Sequence, residues 1–180
     1  MKELEVKILE VNRKKVEETL AGLGATKVFD GEIQTMFFDF KDASIGKAKN
    51  VLRLRKEQDK TELTYKKVHM SETAKLADEY SVDVSDPQTM KKILENLGLS
   101  LTECMQKHRV SYTLDHTRFD IDCYVGNYDY IPELLEIESE NIDLIHKYAS
   151  LLDFKAEDCL PWSTAELIRH YSLKKGKTEK

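Results

Sequence analysis

Charged side chains recur at even spacing along this sequence: Glu3, Glu5 and Lys7; Arg53 and Arg55; Glu79 and Asp83; Lys107 and Arg109; Asp120 and Asp122; Glu136 and Glu138, with Lys66 alone in a similar setting. On a strand, residues two apart share a face, so each set points one way. A solvated sheet face is the ordinary reading of any one such strand. Such faces usually mix Thr, Ser and Gln among their charges, whereas here acids and bases are largely segregated onto different segments. Turned inward, the set would have to be paired or coordinated, because an isolated buried charge is prohibitively costly. The bases ask for a polyanion and the acids for hard cations. Carboxylates unaccompanied by His or Cys suit Mg²⁺ or Mn²⁺, which typically bridge a few carboxylates to substrate phosphates.

The intervening residues define the elements that must position these charges. Leu4, Val6, Leu52, Leu54, Leu63, Tyr65, Tyr80, Val82, Phe119, Ile121, Leu135 and Ile137 form an apolar face that amphipathic helices can cover. The first strand is followed by a helix that Asn12 can cap and that stops at Gly22 to Gly24. Strands are expected at 27–29 and 33–40 on either side of an Asp30-Gly31 turn, then an exposed loop to Asn50. A hairpin follows at 51–56 and 61–66, then a strand at 79–84, and a helix that begins at Asp86-Pro87 and ends at Gly98. Further strands are expected at 101–114, 118–125 and 134–138, and helices at 143–152 and 163–173. This order lacks the regular strand–helix alternation of a parallel sheet and favours an antiparallel sheet or barrel with helices around it.

With 180 residues the chain suits one compact domain, taken as residues 1–173 with a basic, frayed tail at 174–180. A formal net charge of −5 argues against a general affinity for nucleic acid or anionic membrane. The apolar runs are short and the N-terminus lacks a signal-peptide core, so a soluble, cytoplasmic protein is expected. Cys104, Cys123 and Cys159 are odd in number and outside any zinc-binding spacing, and read as small buried residues. The five histidines lack ligand spacing, and His108, between two bases on the strand, should point to the other face. Trp162 reads as a packing anchor. No surface stripe singles out an interface, so homodimerisation is left open.

The chain resembles the CYTH or triphosphate tunnel metalloenzymes, which include class IV adenylyl cyclases and thiamine triphosphatases. Glu3-Leu4-Glu5-Val6-Lys7 matches their ExExK signature on the first strand, and Leu52-Arg53-Leu54-Arg55, Leu63-Thr64-Tyr65-Lys66, Lys107-His108-Arg109, Phe119-Asp120-Ile121-Asp122 and Leu135-Glu136-Ile137-Glu138 follow in order. The resemblance implies an α+β fold: a closed eight-stranded antiparallel β-barrel, the triphosphate tunnel, with helices packed outside. It implies that Lys7, Arg53, Arg55, Lys66 and Arg109, with Lys107 as a sixth, hold triphosphate oxygens. Asp122, Glu136 and Glu138 would hold one Mg²⁺ or Mn²⁺. Glu3 and Glu5 would help hold a second that orients or deprotonates the attacking group, which makes these two the catalytic pair. The roles of Asp120 and Glu79 stay open. Val51 stands where animal thiamine triphosphatases place a thiamine-stacking aromatic, which points away from thiamine triphosphate.

Two reactions fit. A metal-dependent triphosphatase would direct water at the terminal phosphorus of inorganic triphosphate or a nucleoside triphosphate. A class IV adenylyl cyclase would direct the 3′-hydroxyl of ATP at the α-phosphorus and needs a seat for adenine as well. A noncatalytic polyphosphate-binding module would gain little from the two acidic clusters.

Overall fold

The structure is a computed structural model that describes residues 4–70 and 75–178. Its strands are β1 (Leu4–Ile8), β2 (Thr26–Phe40), β3 (Val51–Glu57), β4 (Lys60–Met70), β5 (Lys75–Asp83), β6 (Leu99–Leu114), β7 (Thr117–Val125) and β8 (Leu134–Ser139). The helices are α1 (Arg13–Gly22), α2 (Ser44–Lys47), α3 (Pro87–Asn96), α4 (Ile142–Leu151) and α5 (Thr164–Thr178). The strands share one hydrogen-bonded order, β1-β8-β7-β6-β2-β3-β4-β5. The pairings of β1 with β8, β2 with β3, β3 with β4, β4 with β5 and β7 with β8 are antiparallel. The fold is therefore α+β, as expected. β1 and β5 end the order, and among the described residues no pairing between them closes it into a ring.

The chain separates into two compact units, one of residues 31–106 and one that joins 4–30 to 107–178, and the long strands β2 and β6 contribute to both. In the second unit, the apolar face of β1, β6, β7 and β8 supplies Val6, Ile8, Val110, Phe119, Ile121, Leu135 and Ile137, covered by Val16 and Leu20 of α1 and Ile145 and Tyr148 of α4. Tyr148 meets Phe119 edge-on at 5.3 Å and donates its hydroxyl to Asp115 at 2.8 Å, which ties α4 to the β6–β7 turn. That turn has positive φ at both Asp115 and His116, the geometry that matches the twist of a two-residue hairpin. In the first unit, Phe38, Leu54 and Leu99 pack with Leu94 of α3, and Met36, Leu52, Leu63 and Met90 lie against them.

Local chemistry sets the helix ends. The Asn12 carboxamide accepts from the Lys15 amide, and Asp86 accepts from the Gln88 and Thr89 amides with Pro87 at the first helical position. Ser163 and Glu166 form a reciprocal capping box at the start of α5. Gly24 and Gly98 end α1 and α3 with φ of +85° and +93°, where a Cβ would be strained.

Several expectations are corrected. Asp30-Gly31 is no turn: β2 runs through it, Gly31 is not among the positive-φ residues, and the Asp30 carboxylate is held by Lys27 and His108. The loop after β2 is exposed, as expected, and also holds the short α2, which Asp39 shapes by accepting from the Ile45 and Gly46 amides. The last helix continues past Leu173 to Thr178, and Lys174 reaches Glu10 at 3.1 Å. Tyr80 and Val82 are exposed because β5 ends the strand order and the helix-covered cluster draws on β2, β3 and β4. The cysteines are not buried: Cys104 is exposed, and Cys123 and Cys159 are half-buried. No helix among the described residues is long and apolar enough to cross a membrane.

Candidate active site

Strand register gathers most of the predicted acids in the second unit. Across β1 and β8, Glu5 stands opposite Glu138 and Lys7 opposite Glu136, and across β7 and β8 Asp120 stands opposite Glu136. Like charges directly opposite one another are destabilising, so two of these pairings require a cation between or beside them. Lys7, buried among the strands, donates to both Glu5 and Glu136, the latter at 2.6 Å. Arg109, also buried, spans the other pair: Nη1 donates to Asp120 at 2.5 Å, Nη2 to Glu136 at 2.5 Å, and Nε and Nη2 grip the two oxygens of Asp122 at 2.6 Å each. Lys107 donates to Asp122 and lies 5.6 Å from the centre of the Tyr124 ring.

The result is an ion lattice in which Glu5, Asp120, Asp122 and Glu136 are balanced by Lys7, Lys107, Arg109 and Arg118. Burial alone would lower the pKa of Lys7, but Glu136 and Glu5 outweigh it and hold the pKa raised. Burial likewise opposes the charge on Glu136, yet Lys7, Lys107 and Arg109 keep this carboxyl well below its usual range. Arg109 is held protonated by Asp122, Glu136 and Asp120 against its own desolvation. Burial, followed by the nearby charges of Asp122 and Glu136, pushes the Tyr124 hydroxyl upward, so it stays neutral.

The first unit carries the remaining predicted bases. Across β3 and β4, Arg53 stands opposite Thr64 and Arg55 opposite Glu62, and across β4 and β5 Lys66 stands opposite Glu79. Lys66 pairs with Glu79, which also lies 4.0 Å from Arg53. Glu79 is thereby a counter-ion for these bases. Arg55 is 3.5 Å from Glu57, and its buried Nε has no hydrogen-bond partner. Asp83 is an exposed partner of Lys60.

Lys7, Lys107, Arg109, Asp122, Glu136, Glu138 and Glu5 thus fall in one unit and Arg53, Arg55 and Lys66 in the other, while Glu3 lies outside the described residues. His108 pairs with Asp30 at 3.1 Å and stands apart from the lattice, and Trp162 packs at 5.0 Å on His170. Arg118, not collected from the sequence, donates to Asp120 at 2.9 and 3.1 Å and to Ser111 at 3.1 Å. Its signal was present: Arg118-x-Asp120-x-Asp122 continues the same alternation.

Among the described residues no three carboxylates, histidines or cysteines stand ready-made around a metal position. The donors still fit a hard cation chemically. They are all carboxylate oxygens, and Glu5 opposite Glu138 is an acid pair of the kind a dication reconciles. In the present arrangement the Asp122 and Glu136 oxygens are taken up by Arg109, Lys107 and Lys7.

The family model described as the CYTH domain matches residues 1–164. The chain belongs to the CYTH family. This CYTH protein is 25% identical over 147 residues to a Methanocaldococcus jannaschii protein provisionally named adenylate cyclase, and the match covers 82% of each chain. A solved structure from Pyrococcus horikoshii superposes with a TM-score of 0.76 at 25% identity, over 92% of this chain and 98% of that one. A Hippeastrum protein, provisionally named an adenylyl cyclase and described by a dominant triphosphatase activity, shares the fold with a TM-score of 0.68 at 13% identity, over 94% of this CYTH chain and 96% of its own.

Proposed function

We propose that this CYTH protein is a Mg²⁺- or Mn²⁺-dependent triphosphatase that hydrolyses inorganic triphosphate or a nucleoside triphosphate. The observation that carries the reading is the buried lattice around Arg109. A chain would not bury Lys7, Lys107, Arg109, Asp120 and Asp122 for stability alone, because apolar replacements of such pairs are usually neutral or stabilising. Its bases are spaced for a polyanion and its acids for dications.

In this reading Lys7, Lys107 and Arg109 take phosphate oxygens, Arg109 through its forked edge and the lysines as point charges. Arg53, Arg55 and Lys66 are assigned to the same substrate by the sequence pattern shared with the family. Asp122, Glu136 and Glu138 would hold one metal ion and Glu3 with Glu5 a second. Bound there, such ions would neutralise phosphate charge and lower the pKa of an attacking water. The residues otherwise work by alignment and charge, and no protein nucleophile is required.

The name of the Methanocaldococcus relative favours a second reading, cyclisation of ATP with release of pyrophosphate. Product analysis by phosphorus NMR separates the two, with inorganic triphosphate and ATP offered in turn with Mg²⁺ and with Mn²⁺. Orthophosphate released fastest from inorganic triphosphate supports the triphosphatase. Cyclic AMP with pyrophosphate supports the cyclase, and no turnover of either substrate would overturn both.

A further inference from the structure

The three carboxylates on Arg109 differ in what else holds them. Asp122 takes the Nε and Nη2 edge with both oxygens, the two-bond fork that a phosphate makes on a guanidinium, and also accepts from Lys107. Glu136 takes the second hydrogen of Nη2 and also accepts from Lys7. Asp120 takes Nη1 alone and is gripped from behind by Arg118, which is itself bonded to the buried Ser111 hydroxyl. Asp122 and Glu136 are thus shared with bases assigned to the substrate, whereas the further partner of Asp120 is an arginine outside that set. Asp120 is 3% exposed and stands opposite Glu136, so with Arg109 absent the two carboxylates would repel one another.

We propose that Asp120, braced by Arg118 and Ser111, is the positioning residue of the triphosphate site. It anchors Arg109 through Nη1 so that the Nε–Nη2 edge meets a phosphate, while Asp122 is the exchangeable occupant of that edge. The inference rests on the triphosphatase reading. When a phosphate takes the fork, Asp122 is released for a metal ion and Asp120 keeps its place. Two carboxylates two residues apart on β7 therefore have unlike duties: Asp122 changes partner during binding, and Asp120 does not.

The test uses the whole chain and imidotriphosphate, whose P–N–P bridges resist hydrolysis, followed by calorimetry in Mg²⁺; Mn²⁺ occupancy is read by electron paramagnetic resonance at saturating analogue. Asp120→Asn should weaken analogue binding about tenfold, the scale of one charge-assisted contact, while the half-saturating Mn²⁺ concentration moves less than twofold. Asp122→Asn should shift Mn²⁺ occupancy more than tenfold. Arg118→Gln should weaken the analogue about threefold, and Arg118→Lys should restore much of that loss, a rescue that a merely structural role would not show. Analogue binding by Asp120→Asn within twofold of wild type would overturn the positioning role. So would a loss of Mn²⁺ as steep as in Asp122→Asn, which would make Asp120 a ligand. If Asp120→Asn does not fold, Arg118→Gln decides the matter, because the Arg118 side chain is 40% exposed and tolerates replacement. Failure of the wild-type chain to bind the analogue would instead bring down the triphosphatase reading itself.

Discussion

Lys7 shows why charge in this protein is committed to a task. It is 2% exposed, and its two carboxylate partners hold its proton against the pull of burial. Removing one member of a buried pair leaves the other uncompensated. Lys7→Met is therefore expected to cost about 3 kcal/mol in urea unfolding, while Lys7→Met with Glu136→Leu should recover most of that loss. Both variants should be inactive, which separates stability from function at one residue. Glu136 adds a pH dependence. Its carboxyl titrates well below its usual 4.5 in the folded protein, so its contribution to stability is present at neutral pH and persists above 4.5. Below that value the unfolded chain takes up a proton that the folded chain refuses, and the contribution is lost as pH falls towards the folded-state pKa. Urea midpoints of wild type and Glu136→Gln should converge in that acid range. Glu5, at the exposed rim of the lattice, has the opposite balance of duties. Glu5→Gln should abolish most turnover while leaving the unfolding free energy within about 0.5 kcal/mol of wild type, as measured by phosphate release and urea denaturation.

At the scale of elements, what the sequence disclosed is what has a period. Charged and apolar residues alternating along β1, β3, β7 and β8 revealed the strands and the face that carries the site, and Asn12 and Asp86 marked their helices because capping is local chemistry. The failures came where a local signal met a tertiary demand. Asp30-Gly31 reads as a turn in isolation, but β2 runs on through both residues, and Lys27 and His108 took up the acid. Arg118 was legible as part of an alternation, yet its bond to Ser111 required the placing of β7 beside β6 to be known. Exposure of Tyr80 and Val82 could not be read from alternation, because it depends on which strand ends the order. The caps offer a test at this scale. Asn12→Ala removes the acceptor of the Lys15 amide and should cost about 1 kcal/mol in thermal or urea unfolding with turnover unchanged, since α1 covers the core face rather than the charged one.

For the molecule as a whole, charge balance decides what can bind. In the second unit Glu5, Asp120, Asp122 and Glu136 are matched one for one by Lys7, Lys107, Arg109 and Arg118, and Glu138 stands opposite Glu5 as a further acid. A dication alone would compete with Arg109 and the lysines for the same oxygens. A triphosphate alone would leave excess negative charge beside displaced carboxylates. Together the two nearly cancel, since phosphate takes the bases and metal takes the acids they release. Mg²⁺ and a nonhydrolysable triphosphate should therefore stabilise the protein jointly far more than the sum of their separate effects. A joint concentration near 100 times the dissociation constant is worth about 2.7 kcal/mol, whereas either component alone at the same concentration should add less than about 0.5 kcal/mol. Thermal unfolding with neither, each and both measures this directly. Additive shifts would mean that metal and phosphate occupy independent sites, and the exchange of partners around Arg109 would then have no part in binding.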